Sequence, residues 1–237
     1  MSKEGPSLSE ARVARSREEP IVGGLPDVEG IGAAMRLTPE LGVHLRGLAD
    51  QVLVKDFPGA TISRAERELL ATALSASNDC FYCMDSHAAH ASAVLELEGA
   101  ARRDGAPGHE APPTREGTHD HEHLLETIRH GSSDGFDPKM RALLHITRTV
   151  GRQARDLTAA DVAAAREAGA SDADVQLAVL IAAAFSMYNR MVDGFRARTP
   201  ADTRAYKKRA AEIAEHGYSA PPPMGAQSNG APPRSST

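Results

Sequence analysis

The sequence predicts an all-α protein, and three observations carry that prediction. No segment sustains the period-two alternation of a half-buried strand. Most apolar stretches open on a residue suited to cap a helix and then repeat their apolar positions at spacings of three and four. Alanine, the strongest helix former, is abundant through those stretches.

The elements follow in order. Residues 1–18 are polar and charged without an apolar period, and read as a disordered tail. From Pro20 to Pro39, short apolar patches alternate with Gly and Pro, as in a segment that wraps a surface. A helix is predicted from Thr38, with Thr38 as cap, Pro39 at the first helical position, and Leu41, Val43, Leu45, Leu48 and Val52 apolar. The next opens with Ser63 and Glu66, a capping box, and has an apolar face of Leu69, Leu70, Ala73 and Leu74. Asn78 and Asp79 break it, and another helix starts near Cys80 and is expected to close at Gly99.

Residues 101–121 are rich in Pro, Gly and His and read as a flexible inserted loop. A short helix is expected near Leu124 and Leu125, then a clearer one capped by Asp137 with Pro138 behind it. Thr158 with Asp161, and Ser171 with Asp174, announce the last two predicted helices, the second apolar nearly all round and so expected at the centre. These elements form one helical domain over 19–216, and residues 217–237 read as a disordered tail.

Composition limits the function. The chain of 237 residues can bury a core without disulfide staples. Its net charge of −5 offers no basic surface for nucleic acid. No apolar run is expected to reach membrane-spanning length, and the first residues lack the apolar core of a secretory signal, so the cytoplasm is the expected compartment.

The stretch "SASNDCFYCMDSHAAHA" holds both cysteines, Cys80 and Cys83, followed by His87 and His90. At about 100° per residue these four share one helix face. Thiols in a first helical turn lie near unpaired N–H groups, which favours thiolate and marks Cys80 as the lower-pKa thiol. His87, one turn on, can hold the proton. The set can cycle between dithiol and disulfide, clamp a metal through Cys80, Cys83 and His87 with His90 as a fourth ligand, or fill a core. A structural zinc site normally joins two ligand pairs, and there is no second such pair. His90 reads as a surface or packing residue. Glu68 alone reads as a solvated side chain, although Glu68, Thr72 and Ser75 form a polar stripe leading toward the cysteines.

Glu68, then Cys80-x-x-Cys83 and His87, resembles the alkylhydroperoxidase D-like core of the carboxymuconolactone decarboxylase superfamily. "NDCFYCMDSH" and "DVQLAVLIAAAFSMYNRMVDG", with Asn189, Arg190 and Asp193, are similar to its peroxidase-related subgroup. The resemblance implies an antiparallel helical bundle forming homo-oligomers (dimers, trimers or hexamers), and a thiol peroxidase or disulfide reductase with no cofactor and no metal. It implies that Cys83 attacks a hydroperoxide, that Cys80 resolves the product to a disulfide, that Glu68 and His87 relay the proton, and that an external dithiol restores the thiols.

The sequence departs from the family in two places. Tyr82 stands where characterised peroxidases carry a His before the second cysteine. The loop with His109, His119, His121 and His123 has no counterpart in the family core and reads as solvated. Arg190 and Asp193 are spaced to pair with each other, and with Asn189 read as a structural network. The alternative function is a non-enzymatic module that binds zinc or senses redox state at an oligomer interface.

Overall fold

The computed structural model describes residues 7–103 and 126–219 of the chain. The described residues are helical and contain no strand, so the predicted all-α class holds. In order they form α1 (Leu8–Ser16), α2 (Ile31–Leu37), α3 (Pro39–Leu53), α4 (Arg64–Ser77), α5 (Phe81–Arg103), α6 (Pro138–Gln153), α7 (Ala159–Glu167), α8 (Asp172–Phe195) and α9 (Lys207–His216). The greater part of the histidine-rich loop, with all four of its histidines, lies outside the described residues.

The capping signals read in the sequence are present except at Thr38, which precedes α3 but makes no side-chain capping hydrogen bond. Ser63 accepts from the Glu66 N–H and the Glu66 carboxylate accepts back, and the Thr158–Asp161 and Ser171–Asp174 boxes close in the same way. Asp137 caps α6. The buried Asp174 does more than cap. Its carboxylate also accepts from the Thr61 N–H at 2.6 Å, the Thr61 hydroxyl at 2.7 Å and the Ile62 N–H at 3.1 Å, which ties the segment before α4 to the start of α8.

α4 and α5 form a hairpin across the Asn78–Asp79 turn, where Asp79 takes a left-handed φ of 56°. α4 also packs on α6 and α8, and α9 lies along α5. Leu70, Leu74, Leu143, Leu144, Leu177 and Ile181 are fully buried where these helices meet. Alanines at 71, 73, 178 and 182 let the backbones approach closely. α4 therefore sits inside the bundle, buried on all sides from Ala65 to Ser75. The one-sided apolar face read from the sequence understates this.

Four expectations change. Residues 8–16 of the supposed tail form α1, closed by a Ser7–Glu10 capping box. The segment from Pro20 to Pro39 contains α2. α5 runs through Gly99 to Arg103, which carries helix into the first residues of the supposed loop. α8 is long and apolar enough to cross a membrane by length and composition, with a mean hydropathy of 1.4, although half of that stretch is buried in the helical packing.

Candidate active site

Cys80 stands at the start of α5. Its N–H donates to the Ser75 carbonyl at 3.0 Å and its carbonyl accepts from the Met84 N–H at 2.9 Å. Asn189 of α8 secures this turn. Its side-chain oxygen accepts from Asn78 at 2.8 Å, its amide donates to the Ser75 hydroxyl at 3.1 Å, and its backbone carbonyl lies 4.0 Å from Cys80 Sγ. Asn189 is thus part of the frame that positions a thiol. Asp193 is not paired with Arg190. It binds Arg15 of α1 at 2.8 Å, while Arg190 turns back to the Ser186 carbonyl.

Both cysteines are free thiols, and both are buried, with 1% and 4% exposure. The hydrogen bond between Cys80 and Cys83 pushes the Cys80 thiol well up, and burial adds to it. The expectation that the helix start lowers the Cys80 pKa fails, because the neighbouring sulfur and then desolvation outweigh the helix-start field. Tyr82 packs with the cysteines, Leu25, Val28 and Ile31, and meets Tyr206 edge-on at 5.5 Å. It occupies the position of the family's extra His as a packing side chain.

One helical turn beyond Cys83, His87 Nδ1 lies 2.8 Å from Glu68 Oε2. Glu68 is not solvated; it is fully buried, as are Thr72 and Ser75 of the same stripe. Burial pushes the Glu68 carboxyl up, but its interactions with His87 and His90 prevail and hold it down at about 2. His90 is buried too, and desolvation lowers its pKa. It belongs to the site, contrary to expectation.

A fourth group comes from beyond α9. The Tyr218 hydroxyl lies 2.8 and 3.0 Å from the two Glu68 carboxylate oxygens and 2.9 Å from His90 Nδ1. The proton assignment follows from chemistry. An ionised carboxylate only accepts, so His87 Nδ1–H and the Tyr218 hydroxyl both donate to Glu68. The single Tyr218 proton is then committed, and its oxygen accepts from His90 Nδ1–H. In neutral His87 this leaves Nε2 as the atom that takes or releases a proton.

Glu68, His87 and His90 also bring donor atoms within 4.8 Å of one another, a gathering that some cation sites share. Here the hydrogen-bonded network already engages each of those atoms, and none of these side chains has a buried polar atom lacking a partner. The set Cys80, Cys83 and His87, considered for zinc from the sequence, is not gathered in this way among the described residues. The residues that sequence reasoning missed are therefore His90 and Tyr218. His90 had a signal in its shared face with His87. Tyr218 had only a weak one, an aromatic directly after the glycine that ends α9.

Residues 33–99 match the family described as carboxymuconolactone decarboxylase, a stretch that contains Glu68, both cysteines and both histidines but not Tyr218. An uncharacterized peroxidase-related protein from Ralstonia eutropha JMP134, described as an alkylhydroperoxidase AhpD core, superposes with a TM-score of 0.55 at 22% identity over 78% of this chain and 82% of its own. The chain has the alkylhydroperoxidase D-like fold. An uncharacterized peroxidase-related protein from Silicibacter sp. TM1040 aligns over 87% of this chain and 98% of its own, with a TM-score of 0.54 and 18% identity. No curated relative matches the sequence. The family resemblance read from Glu68, the two cysteines and His87 holds, and this alkylhydroperoxidase D-like bundle places Glu68 on α4, Cys83 and His87 on the adjacent α5, and Cys80 directly before α5.

Proposed function

We propose that the protein is a thiol-dependent peroxidase that reduces organic hydroperoxides through Cys83 and Cys80. The observation that carries this reading is the buried Glu68–His87 pair at 2.8 Å, one helical turn from Cys83 and its partner thiol. The Cys83 proton passes to His87 Nε2, with Glu68 balancing the imidazolium charge. The thiolate attacks the terminal peroxide oxygen and the O–O bond breaks. The leaving alkoxide takes up the proton as alcohol, and Cys83 becomes a sulfenic acid. Cys80 then attacks the Cys83 sulfur, hydroxide leaves with the Cys80 proton as water, and a disulfide forms. In sum, one hydroperoxide and two thiols give alcohol, water and a disulfide.

An external dithiol returns both thiols and is itself oxidised to a disulfide. The elevated Cys80 pKa supports this division of labour, since the resolving thiol keeps its proton until the sulfenic acid is present. The reading includes a homo-oligomer in the cytoplasm, free of nucleic acid and membrane.

The test is a thiol count on purified protein before and after one equivalent of cumene hydroperoxide, with intact mass measured alongside. Loss of both thiols with a mass decrease of about 2 Da supports the reading. Two unreacted thiols after exposure overturn it.

A further inference from the structure

Tyr218 sits in a clasp built from three helices. The Asp50 carboxylate of α3, itself buried, accepts from the Tyr218 N–H at 2.6 Å and the Ser219 N–H at 3.0 Å. Gly217 makes this approach with a left-handed φ of 79°, and a Cβ there would lie 2.8 Å from Asp50 Oδ1. Arg64 of α4 donates to the Ala214 and Ile213 carbonyls at the end of α9 and holds that terminus against the bundle. The phenol ring then lies edge-on to His90 at 5.4 Å.

We propose that Tyr218 is a positioning residue of the proton relay. Its hydroxyl fixes the Glu68 carboxylate and the His90 tautomer, so that Glu68 holds His87 by Nδ1–H and leaves Nε2 free. The catalytic use of that relay rests on the peroxidase reading above, but the hydrogen-bond assignment does not. The relay reaches past the matched family segment, because Tyr218 lies outside residues 33–99.

The charged and titratable groups around this cluster are Asp50 of α3, Arg64 and Glu68 of α4, His87 and His90 of α5, and Arg209 of α9. From α8 the neighbour of His87 is Phe185, which does not titrate. Tyr218→Phe leaves all of these in place and removes one donor to Glu68. The carboxylate then draws the His87 Nδ1 proton more strongly, and His90 Nδ1–H loses its acceptor.

The experiment compares full-length wild type with Tyr218→Phe by nitrogen-15 histidine NMR across pH, together with the pH profile of cumene hydroperoxide turnover. Expected are His87 and neutral His90 as Nδ1–H tautomers in the wild type. In the variant, the His90 tautomer population changes and the His87 Nδ1 resonance shifts. A tenfold fall in kcat with little change in KM should accompany the shift. Unchanged tautomers and unchanged Nδ1 resonances overturn the inference, whatever the turnover. If the tautomers shift while neither protein turns over peroxide, the peroxidase reading falls and the role of Tyr218 stands. Asp50→Asn, which loosens the clasp but keeps the hydroxyl, should give a smaller shift in the same direction. No shift in a folded Asp50→Asn protein counts against the inference even if Tyr218→Phe fails to fold.

Discussion

Glu68 Oε2 and His87 Nδ1 meet at 2.8 Å with both side chains buried, one contributed by α4 and the other by α5. An ionised carboxylate held there makes stability depend on pH. Glu68 is ionised down to about 2 in the folded chain, against 4.5 ordinarily. The unfolded chain takes up the proton first as pH falls, so the contribution is complete above about 4.5 and is lost on the way down to about 2. His90 acts in the same direction from higher pH. Its lowered pKa gives stability that is complete above 6.5 and is lost as pH falls through the folded value. Urea denaturation across pH should show stability declining from about 6.5, with a second decline below about 4.5 that Glu68→Gln removes.

The N-terminal helix is tied by two arginines to carboxylates that flank the thiols. Arg12 of α1 binds the fully buried Asp85 carboxylate through Nε at 2.5 Å and Nη2 at 2.9 Å, two residues beyond Cys83. Arg15 of the same helix binds Asp193, which contacts Cys80. Arg12→Ala should cost about 2 kcal/mol in urea denaturation, since it leaves Asp85 without its bidentate partner. Removal of residues 1–17 should raise the rate of iodoacetamide alkylation of the cysteines at least tenfold. An unchanged rate would mean that α1 does not cover them.

The two cysteines should differ in what they leave behind. Cys83→Ser abolishes hydroperoxide turnover. Cys80→Ser still consumes one equivalent of hydroperoxide and accumulates a sulfenic acid on Cys83, trapped by dimedone and seen by mass. The opposite assignment of trapped adducts would reverse the roles.

Gly30 supports Tyr82 between the thiols. It has a left-handed φ of 56°, donates its N–H to the Arg198 carbonyl, and a Cβ there would fall 2.0–2.2 Å from the Tyr82 ring. Gly30→Ala should therefore destabilise the fold by about 3 kcal/mol, from overpacking and backbone strain together. The loss is readable as a lower urea midpoint with an unchanged slope.

Metal analysis separates the relay from a clamp. Purified protein should carry no stoichiometric divalent metal, and a chelator should leave its melting temperature unchanged. One metal per chain, with folding lost on chelation, would favour the zinc-binding module.

The sequence by itself determined the helices from α3 to α8 and the pattern of Glu68, Cys80, Cys83 and His87. Capping residues and apolar periodicity act locally, so Ser63 with Glu66, Asp137, Thr158 with Asp161, and Ser171 with Asp174 could be read without knowing what packs on what. Cys80, Cys83 and His87 share a helix face by spacing alone, and Glu68 was legible through the family pattern. Only the tertiary structure decided the rest. Burial of α4 on every side turns Glu68 from a surface acid into an ionised interior one, and the contact with Cys83 together with burial raises the Cys80 pKa that the helix start was expected to lower. His90 and Tyr218 join the hydrogen-bonded cluster around Glu68 because α9 packs along α5 and Asp50 seats the backbone beyond it. Arg12 and Arg15 reach Asp85 and Asp193 across 73 and 178 residues of sequence. Such partners are separated by far more residues than any local period spans, and neither periodicity nor a capping signal can encode which distant side chain will complete a buried charge.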